Sequence, residues 1–193
     1  MPLLDPLPLR ASPTSPPGGL LFWVVVATEL LAFGVFFGFV AHVRVSEPEV
    51  FEAGRALVDT HEGLVLAAVL LTSGWFVAEA VHACRLDRLR RARGYYALAI
   101  VAGIVFVGLK LRGYAMLGAN ARLGVSTYWD VFLLGTGFHF LHVLLGLAML
   151  ARTAWRLGRR PFEDAETAIA GTALFWHMCD LAWFFLFPLL YVA

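Results

Sequence analysis

Two pairs of polar side chains lie inside long apolar runs of this sequence. His139 and His142 are three residues apart, and His177 and Asp180 have the same spacing. A spacing of three residues puts both members of a pair on one face of a helix. Glu29 is the only Asp, Glu, Lys or Arg between residues 20 and 43. Imidazoles and carboxylates can join helices, carry protons or bind metals, so these five residues are the candidates for function.

Three interpretations of these five residues compete. They could form interhelical hydrogen bonds, with Gly135, Gly137, Gly146 and Gly171 allowing the helices to approach closely. They could form a proton or ion path through Glu29 and the histidines. They could also bind a metal, although such a site needs fixed geometry and no further carboxylate lies at this depth. The structural interpretation has the greatest weight, and we predict neither catalytic residues nor a metal site.

The composition places the chain in a membrane. Of its 193 residues, 60% are hydrophobic and 15% are charged, whereas soluble domains are nearer half and a quarter. The apolar residues fall into five blocks that can each cross about 30 Å of hydrocarbon. We therefore predict an all-α, polytopic bundle of five transmembrane helices. The predicted spans are 20–43, 62–84, 94–111, 129–151 and 168–191, and they form one domain, 20–193, after a Pro-rich arm, 1–19.

The five candidate residues lie at similar predicted depths. Glu29 is about 14 Å from the start of its span, and His177 and Asp180 are about 14 and 18 Å from the start of theirs. His139 and His142 lie about 15 and 20 Å inside the fourth span. All five therefore belong to the middle third of the bilayer, which favours a shared interior network.

Arginine distribution predicts the orientation. The arm and the second-to-third and fourth-to-fifth connections contain most of the 15 Lys and Arg residues. Cytoplasmic loops carry such an excess. The N-terminus is therefore predicted to be cytoplasmic and the C-terminus periplasmic. Lys110 and Arg112 are expected near the outer interface, where long basic side chains can extend to the headgroups.

Composition also limits partners and cofactors. The net charge is +1, so charge gives no reason to expect a nucleic-acid partner. The sequence has no CxxCH motif for covalent haem attachment and no phosphate-binding glycine loop. We therefore expect no cofactor within this chain.

Three segments resemble motifs of the cytochrome c oxidase subunit III family. Residues 28–33, TELLAF, resemble its Ser/Thr-Glu-x-x-x-Phe segment; residues 137–143, GFHFLHV, resemble Gly-Phe-His-Gly-x-His-Val; and residues 176–183, WHMCDLAW, resemble its Trp-His-Phe-x-Asp-x-x-Trp segment. The resemblance covers nearly everything after residue 18. The five spans match the shorter bacterial form, which includes the accessory subunit associated with nitric oxide reductases.

The resemblance implies a helical, accessory subunit without a redox centre. It would pack beside the catalytic subunit of a haem–copper oxidase or nitric oxide reductase in the bacterial inner membrane. It would hold phospholipid during aerobic electron transport or nitric oxide reduction, with Glu29 near that lipid. The rival hypothesis is an independent small channel, transporter or proton path that uses Glu29 and the intramembrane histidines.

Two positions depart from the family pattern. Residues 110–114, KLRGY, place Gly113 where the family's Lys-x-x-Glu-Tyr segment has glutamate. Phe140 replaces the glycine that follows the first histidine of the family motif. A bulkier residue there is expected to change the packing near the histidines.

Overall fold

Six α-helices and one π-helical segment make up the described part of the chain, without a β-strand. The computed structural model describes residue 16, residue 162 and the ranges 18–118, 121–159 and 164–192. The helices are α1 (Gly19–Ser46), α2 (Pro48–Arg55), α3 (Thr60–Arg85), α4 (Leu89–Leu117), α5 (Thr127–Arg156) and α6 (Ala165–Phe187), followed by the π-helical segment Pro188–Val192. Most of the predicted Pro-rich arm lies outside the described residues.

Among the described residues, five helices are long and apolar enough to cross a membrane. They are α1, α3, α4, α5 and α6 together with the π-helical segment. The prediction of an all-α chain with five spans is confirmed, and the chain is a multi-pass membrane protein. We call the end of the bundle that carries the α3–α4 and α5–α6 connections the basic end, because arginines are concentrated there.

Side-chain caps fix where three of the helices begin. Asp59 accepts a hydrogen bond from the His61 backbone N–H at 2.8 Å, and Ser126 accepts one from Trp129. Asp164 accepts hydrogen bonds from the backbone N–H and the hydroxyl of Thr167. Such bonds satisfy N–H groups that have no partner within a helix. At Asp164 they also hold the pKa of the carboxyl below its usual value.

Helix α6 is the centre of the bundle. It packs against α1, α3 and α5, and α4 packs against α3 and α5. Its Trp176 is fully buried between two glycines, where a Cβ at Gly103 or Gly146 would come within about 3 Å of the indole. Helix α1 is peripheral, since it buries only Val26, Phe33, Val40 and Val43.

Of the four glycines predicted to allow close helix approach, three do so. A Cβ at Gly135 would meet Phe36, one at Gly146 would meet Trp176, and one at Gly171 would meet Phe22. Gly137 has nothing within 4 Å of such an atom, so it contributes no close approach.

Two elements differ from the predicted segments. The segment between the first two predicted spans contains α2, which has Pro48 in its first turn and buries Phe51. Proline suits the first helical turn because that turn's N–H groups have no helical partner. Helix α4 continues to Leu117, six residues past the predicted end at residue 111. The charges of Lys110 and Arg112 suggested an interface, but the residues around them continue the helix.

Candidate functional site

Glu29 and His142 form a hydrogen-bonded pair between α1 and α5. Glu29 Oε2 lies 3.1 Å from His142 Nε2, and the side chains are 29% and 11% exposed. The ring is held on its other side, since His142 Nδ1–H donates to the Phe138 carbonyl oxygen at 2.9 Å. Phe33 and Phe175 pack around the imidazole. The pair therefore lies in an apolar setting between two membrane helices.

This geometry fixes the number of protons that the pair shares. A carbonyl oxygen can only accept, so His142 Nδ1 must carry a proton. One further proton between Nε2 and Oε2 gives either imidazolium with carboxylate or imidazole with carboxylic acid. Both forms have zero net charge, which suits a site surrounded by hydrocarbon.

His139 faces a different helix from His142. Its Nε2–H donates to the Cys179 carbonyl oxygen of α6 at 3.0 Å. The side chain is fully buried among Phe106 and Trp183. Its Nδ1 has no hydrogen-bond partner in the described part of the chain. A second proton there would be a buried, unpaired charge, so His139 is a neutral ring that joins α5 to α6.

His177 and Asp180 form a second pair within α6. His177 Nδ1 lies 3.1 Å from Asp180 Oδ2, with the imidazole 44% exposed and the carboxyl 9% exposed. Asp180 packs against Gly74 of α3, where an added Cβ would overlap the carboxyl. Asp180 Oδ1 has no partner among the described residues.

The five predicted residues thus form three units rather than one network. Glu29 joins His142, His177 joins Asp180, and His139 binds the α6 backbone. No hydrogen bond connects these units within the described ranges. Nor do those ranges hold a group of three or more His, Cys, Asp or Glu side chains placed to bind a metal.

Lys110 is a polar residue whose burial the sequence interpretation did not predict. It was expected at the outer interface, but it is only 2% exposed. Its ammonium donates a hydrogen bond of 2.6 Å to the Tyr191 hydroxyl. The rings of Tyr114, Phe132 and Trp183 lie 4.5 to 5.4 Å from Nζ. Cation–π attraction and the hydrogen bond together offset part of the cost of removing the ammonium from water.

A carboxylate of α3 interacts electrostatically with this lysine. Glu62 occupies the space beside Gly113, where a Cβ would overlap its carboxylate. Lys110 and Glu62 interact electrostatically without a direct ion pair. The position of Lys110 could have been found from its spacing. It continues the buried face of α4 at intervals of three and four residues: Tyr96, Ala99, Gly103, Phe106, Lys110 and Gly113.

In the described part of the chain, two grooves are lined by residues of both α1 and α5, and α6 also lines the second. The first, which we call the α1–α5 groove, has a volume of about 550 Å³ and is lined by Phe36, Leu134 and Phe138. The second, the basic-end groove, has about 170 Å³ and is lined by Phe22, Met149, Arg152 and Arg156, among others. His142 lies on α5 between the stretches that line the two grooves.

Comparison with known proteins places the chain in a family. The family described as cytochrome c oxidase subunit III matches residues 18–193. This chain belongs to the cytochrome c oxidase subunit III family. The match starts just before α1 and includes every membrane helix and all five candidate site residues. The prediction made from the three motifs is confirmed.

Three proteins similar to this subunit III family member are each 24% to 29% identical to it. "Cytochrome c oxidase subunit 3" of Thermostichus vulcanus is 29% identical over 176 residues, which cover 90% of this chain and 85% of the relative. "Probable quinol oxidase subunit 3" of Staphylococcus epidermidis is 24% identical over 175 residues, covering 89% and 86%. The protein of the same name from Staphylococcus aureus is also 24% identical.

Proposed function

We propose that this chain is the accessory, non-redox subunit of a bacterial haem–copper respiratory complex in the inner membrane. There it packs beside the catalytic subunit and holds phospholipid along the edge between α1 and α5. The observation that carries this proposal is the order of groups on α5, with arginines at the basic end and the Glu29–His142 pair near mid-depth. Family membership supports the accessory role.

The spacing of these groups suits one leaflet of a phospholipid bilayer. Arg152 lies ten residues from His142 on α5, or about 15 Å along the helix axis. That distance is about half of the 30 Å hydrocarbon thickness. Arg152 and Arg156 offer cations for a lipid phosphate, and Phe22 and Met149 offer apolar contacts for the acyl chains. The tails would then end at the level of Glu29.

Oxygen is the acceptor that we propose for the parent complex. The relatives above carry the names of a cytochrome c oxidase subunit and a quinol oxidase subunit. A nitric oxide reductase is the alternative. The identity of the catalytic subunit that co-purifies with this chain separates the two.

The rival of a proton path or channel receives less support from the geometry. The hydrogen bonds of the Glu29–His142 pair end at the Phe138 carbonyl oxygen, because no further bond leads on from the pair within the described residues. A path for protons needs such bonds, or water, to continue to both surfaces.

Purification of the native complex through a tag on this chain tests the proposal. We expect a haem–copper catalytic subunit and bound phospholipid in the preparation. The double variant Arg152→Ala/Arg156→Ala should retain about tenfold less phospholipid after detergent washing, since each charge-assisted bond to phosphate is lost. Lipid mass spectrometry measures this, and turnover should start normally but decay faster.

The matched control is Arg90→Ala/Arg91→Ala, which removes two exposed arginines from the start of α4, outside the groove. It should retain lipid like the unmodified chain. Equal lipid loss in both double variants would contradict the groove assignment. Absence of any haem–copper subunit from the preparation would contradict the accessory role itself.

A further inference from the structure

His177 is an exposed ionisable group at the middle of a membrane helix. It lies about halfway along the 23-residue α6 with its side chain 44% exposed. Its Nδ1 is bound to Asp180, and Nε2 has no partner among the described residues. Polar groups at this depth are costly when they face lipid, so they generally face protein or a water-filled cavity.

His177 lies in a groove that runs along α6, which we call the α6 groove. One part of it, of about 350 Å³, lies between Trp23 of α1 and Ala78 of α3 and includes His177. The next part, of about 240 Å³, is lined by Gly34 of α1 and by Leu181 and Phe185 of α6, among others. Leu181 is one helical turn from His177, so the two parts follow one another along α1 and α6.

The wall formed by α1 can admit another helix backbone. Gly34 and Gly38 are four residues apart, and neither has any atom within 4 Å of where a Cβ would be. Both are exposed. Small residues at this spacing allow transmembrane helices to approach closely. Gly34 lines the second part of the groove and His177 the first, so the small-residue spacing and the unpaired imidazole are independent observations along it.

A phospholipid could not satisfy His177. Acyl chains contain no hydrogen-bonding group, and the nearest basic headgroup ligand in this groove is Arg85 at the end of α3. His177 lies at the level of Gly74, since a Cβ there would be 3.3 Å from His177 Nδ1. Gly74 is eleven residues from Arg85, or about 16 Å along the axis. A phosphate on Arg85 is therefore too far away to bind His177.

We propose that the α6 groove is the docking surface for a transmembrane helix of the catalytic subunit, and that this helix forms a hydrogen bond with His177 Nε2. The contact between Nδ1 and Asp180 leaves Nε2 as the ring atom available to a partner. The partner group is thus a hydroxyl or a side-chain amide, each of which can donate or accept a hydrogen bond. The inference rests on the proposed function for the identity of the partner.

Site-specific photo-crosslinking in the intact complex tests the docking surface. A photoreactive phenylalanine analogue is placed at Leu181 or Phe185 in the groove, or at the control positions Val101 or Ile104 on the exposed face of α4. All four side chains are exposed and apolar. We expect crosslinks to the catalytic subunit from positions 181 and 185 and none from 101 and 104.

Two results would overturn the docking proposal while leaving the proposed function intact. In the first, the catalytic subunit co-purifies but is crosslinked only from the α4 positions 101 and 104. In the second, it co-purifies but positions 181 and 185 are crosslinked only to lipid. If the unmodified chain never recovers a catalytic subunit, the proposed function fails, and the docking proposal fails with it.

A variant pair tests the hydrogen bond to His177. His177→Leu should weaken association with the catalytic subunit about tenfold, measured as the fraction that stays bound during detergent dilution. His61→Leu changes an exposed histidine elsewhere on the chain and should have no effect. Thermal unfolding of the isolated chain checks that both variants fold. Unchanged association in a folded His177→Leu variant would contradict the hydrogen bond.

Discussion

The polar side chains of Glu29 and His142 would each be costly to bury in a bilayer alone, and their contact with each other lowers that cost. The 3.1 Å contact lets the two groups share one proton, and the bond from Nδ1 to Phe138 holds the ring in place. Loss of one partner leaves the other without its hydrogen bond in an apolar surrounding. Such a loss costs more than replacing both groups with apolar ones.

We predict that His142→Leu lowers the free energy of unfolding by about 1–3 kcal/mol, because it leaves the Glu29 carboxyl without its hydrogen-bond partner. The double variant Glu29→Leu/His142→Leu should be more stable than His142→Leu alone. Thermal unfolding in detergent measures both. His42→Leu serves as the control, because that exposed histidine makes only a 3.5 Å contact to Ser46. If the changes in unfolding free energy of Glu29→Leu and His142→Leu simply add in the double variant, the pairing is contradicted.

The sequence predicts which residues are polar and deep but not their partners. Glu29, His139 and His142 were recognised because charged and imidazole groups are rare in apolar runs. Their spacing suggested one shared face. In the structure, His139 contacts α6 and His142 contacts α1. A three-residue step turns about 60° around the helix, which is enough for the two side chains to face different neighbouring helices.

Between elements, α3 and α4 form the most extensive helix pair of the bundle. Glu62 of α3 fills the space that Gly113 leaves open on α4. The family segment that residues 110–114 resemble has glutamate at the position of Gly113. The structure thus supplies a carboxylate to the same region from the neighbouring helix.

Substitutions at Gly113 and Glu62 test whether this region needs one carboxylate, from either helix. Gly113→Ala should destabilise the chain by about 1–3 kcal/mol, because its Cβ would overlap Glu62. Glu62→Ala/Gly113→Glu should recover most of that loss, since the carboxylate returns from the other helix. Thermal unfolding in detergent provides the measurement.

Gly108→Ala is the matched control on the same helix. Nothing lies within 4 Å of its added Cβ, so it should stabilise α4 by about 0.5–1 kcal/mol. A Gly113→Ala variant as stable as Gly108→Ala would show that Glu62 moves aside freely.

Element boundaries were predictable only where hydrophobicity changes sharply. The five spans follow from apolar length alone. Helix α2 escaped prediction because its eight residues are too few for a span and three of them are charged. The end of α4 escaped prediction because Lys110 looked like an interface residue, although Tyr191 supplies its partner from 81 residues away.

Across the whole molecule, the two ends of the five-span bundle differ in charge. The connections at the basic end carry most of the arginines, and the opposite end carries the α4–α5 connection with Arg122. The central position of α6 could not be predicted from the sequence. All five spans are apolar, and which of them is central depends on how their side chains fit together. The fit of Trp176 between Gly103 and Gly146 is one such contact.

Orientation remains a prediction that cysteine labelling can test. In a chain whose two buried cysteines, Cys84 and Cys179, are replaced by alanine, Arg88→Cys and Arg122→Cys place single thiols at opposite ends. The positive-inside rule predicts that a membrane-impermeant reagent labels residue 122 in intact cells and residue 88 only after permeabilisation. The reverse pattern would contradict the predicted cytoplasmic position of the basic end.

The bond between Lys110 and Tyr191 has a consequence for how the protein is made. Tyr191 is added to the growing chain 81 residues after Lys110. At about 5–20 residues per second, this delay is about 4–16 seconds. During that time, the ammonium is synthesised and inserted without its hydrogen-bond acceptor. Thr60 and Tyr128 also bind the same late segment, at Tyr191 and Leu190. These polar groups of α3, α4 and α5 therefore gain their partners only after residues 190 and 191 have been synthesised.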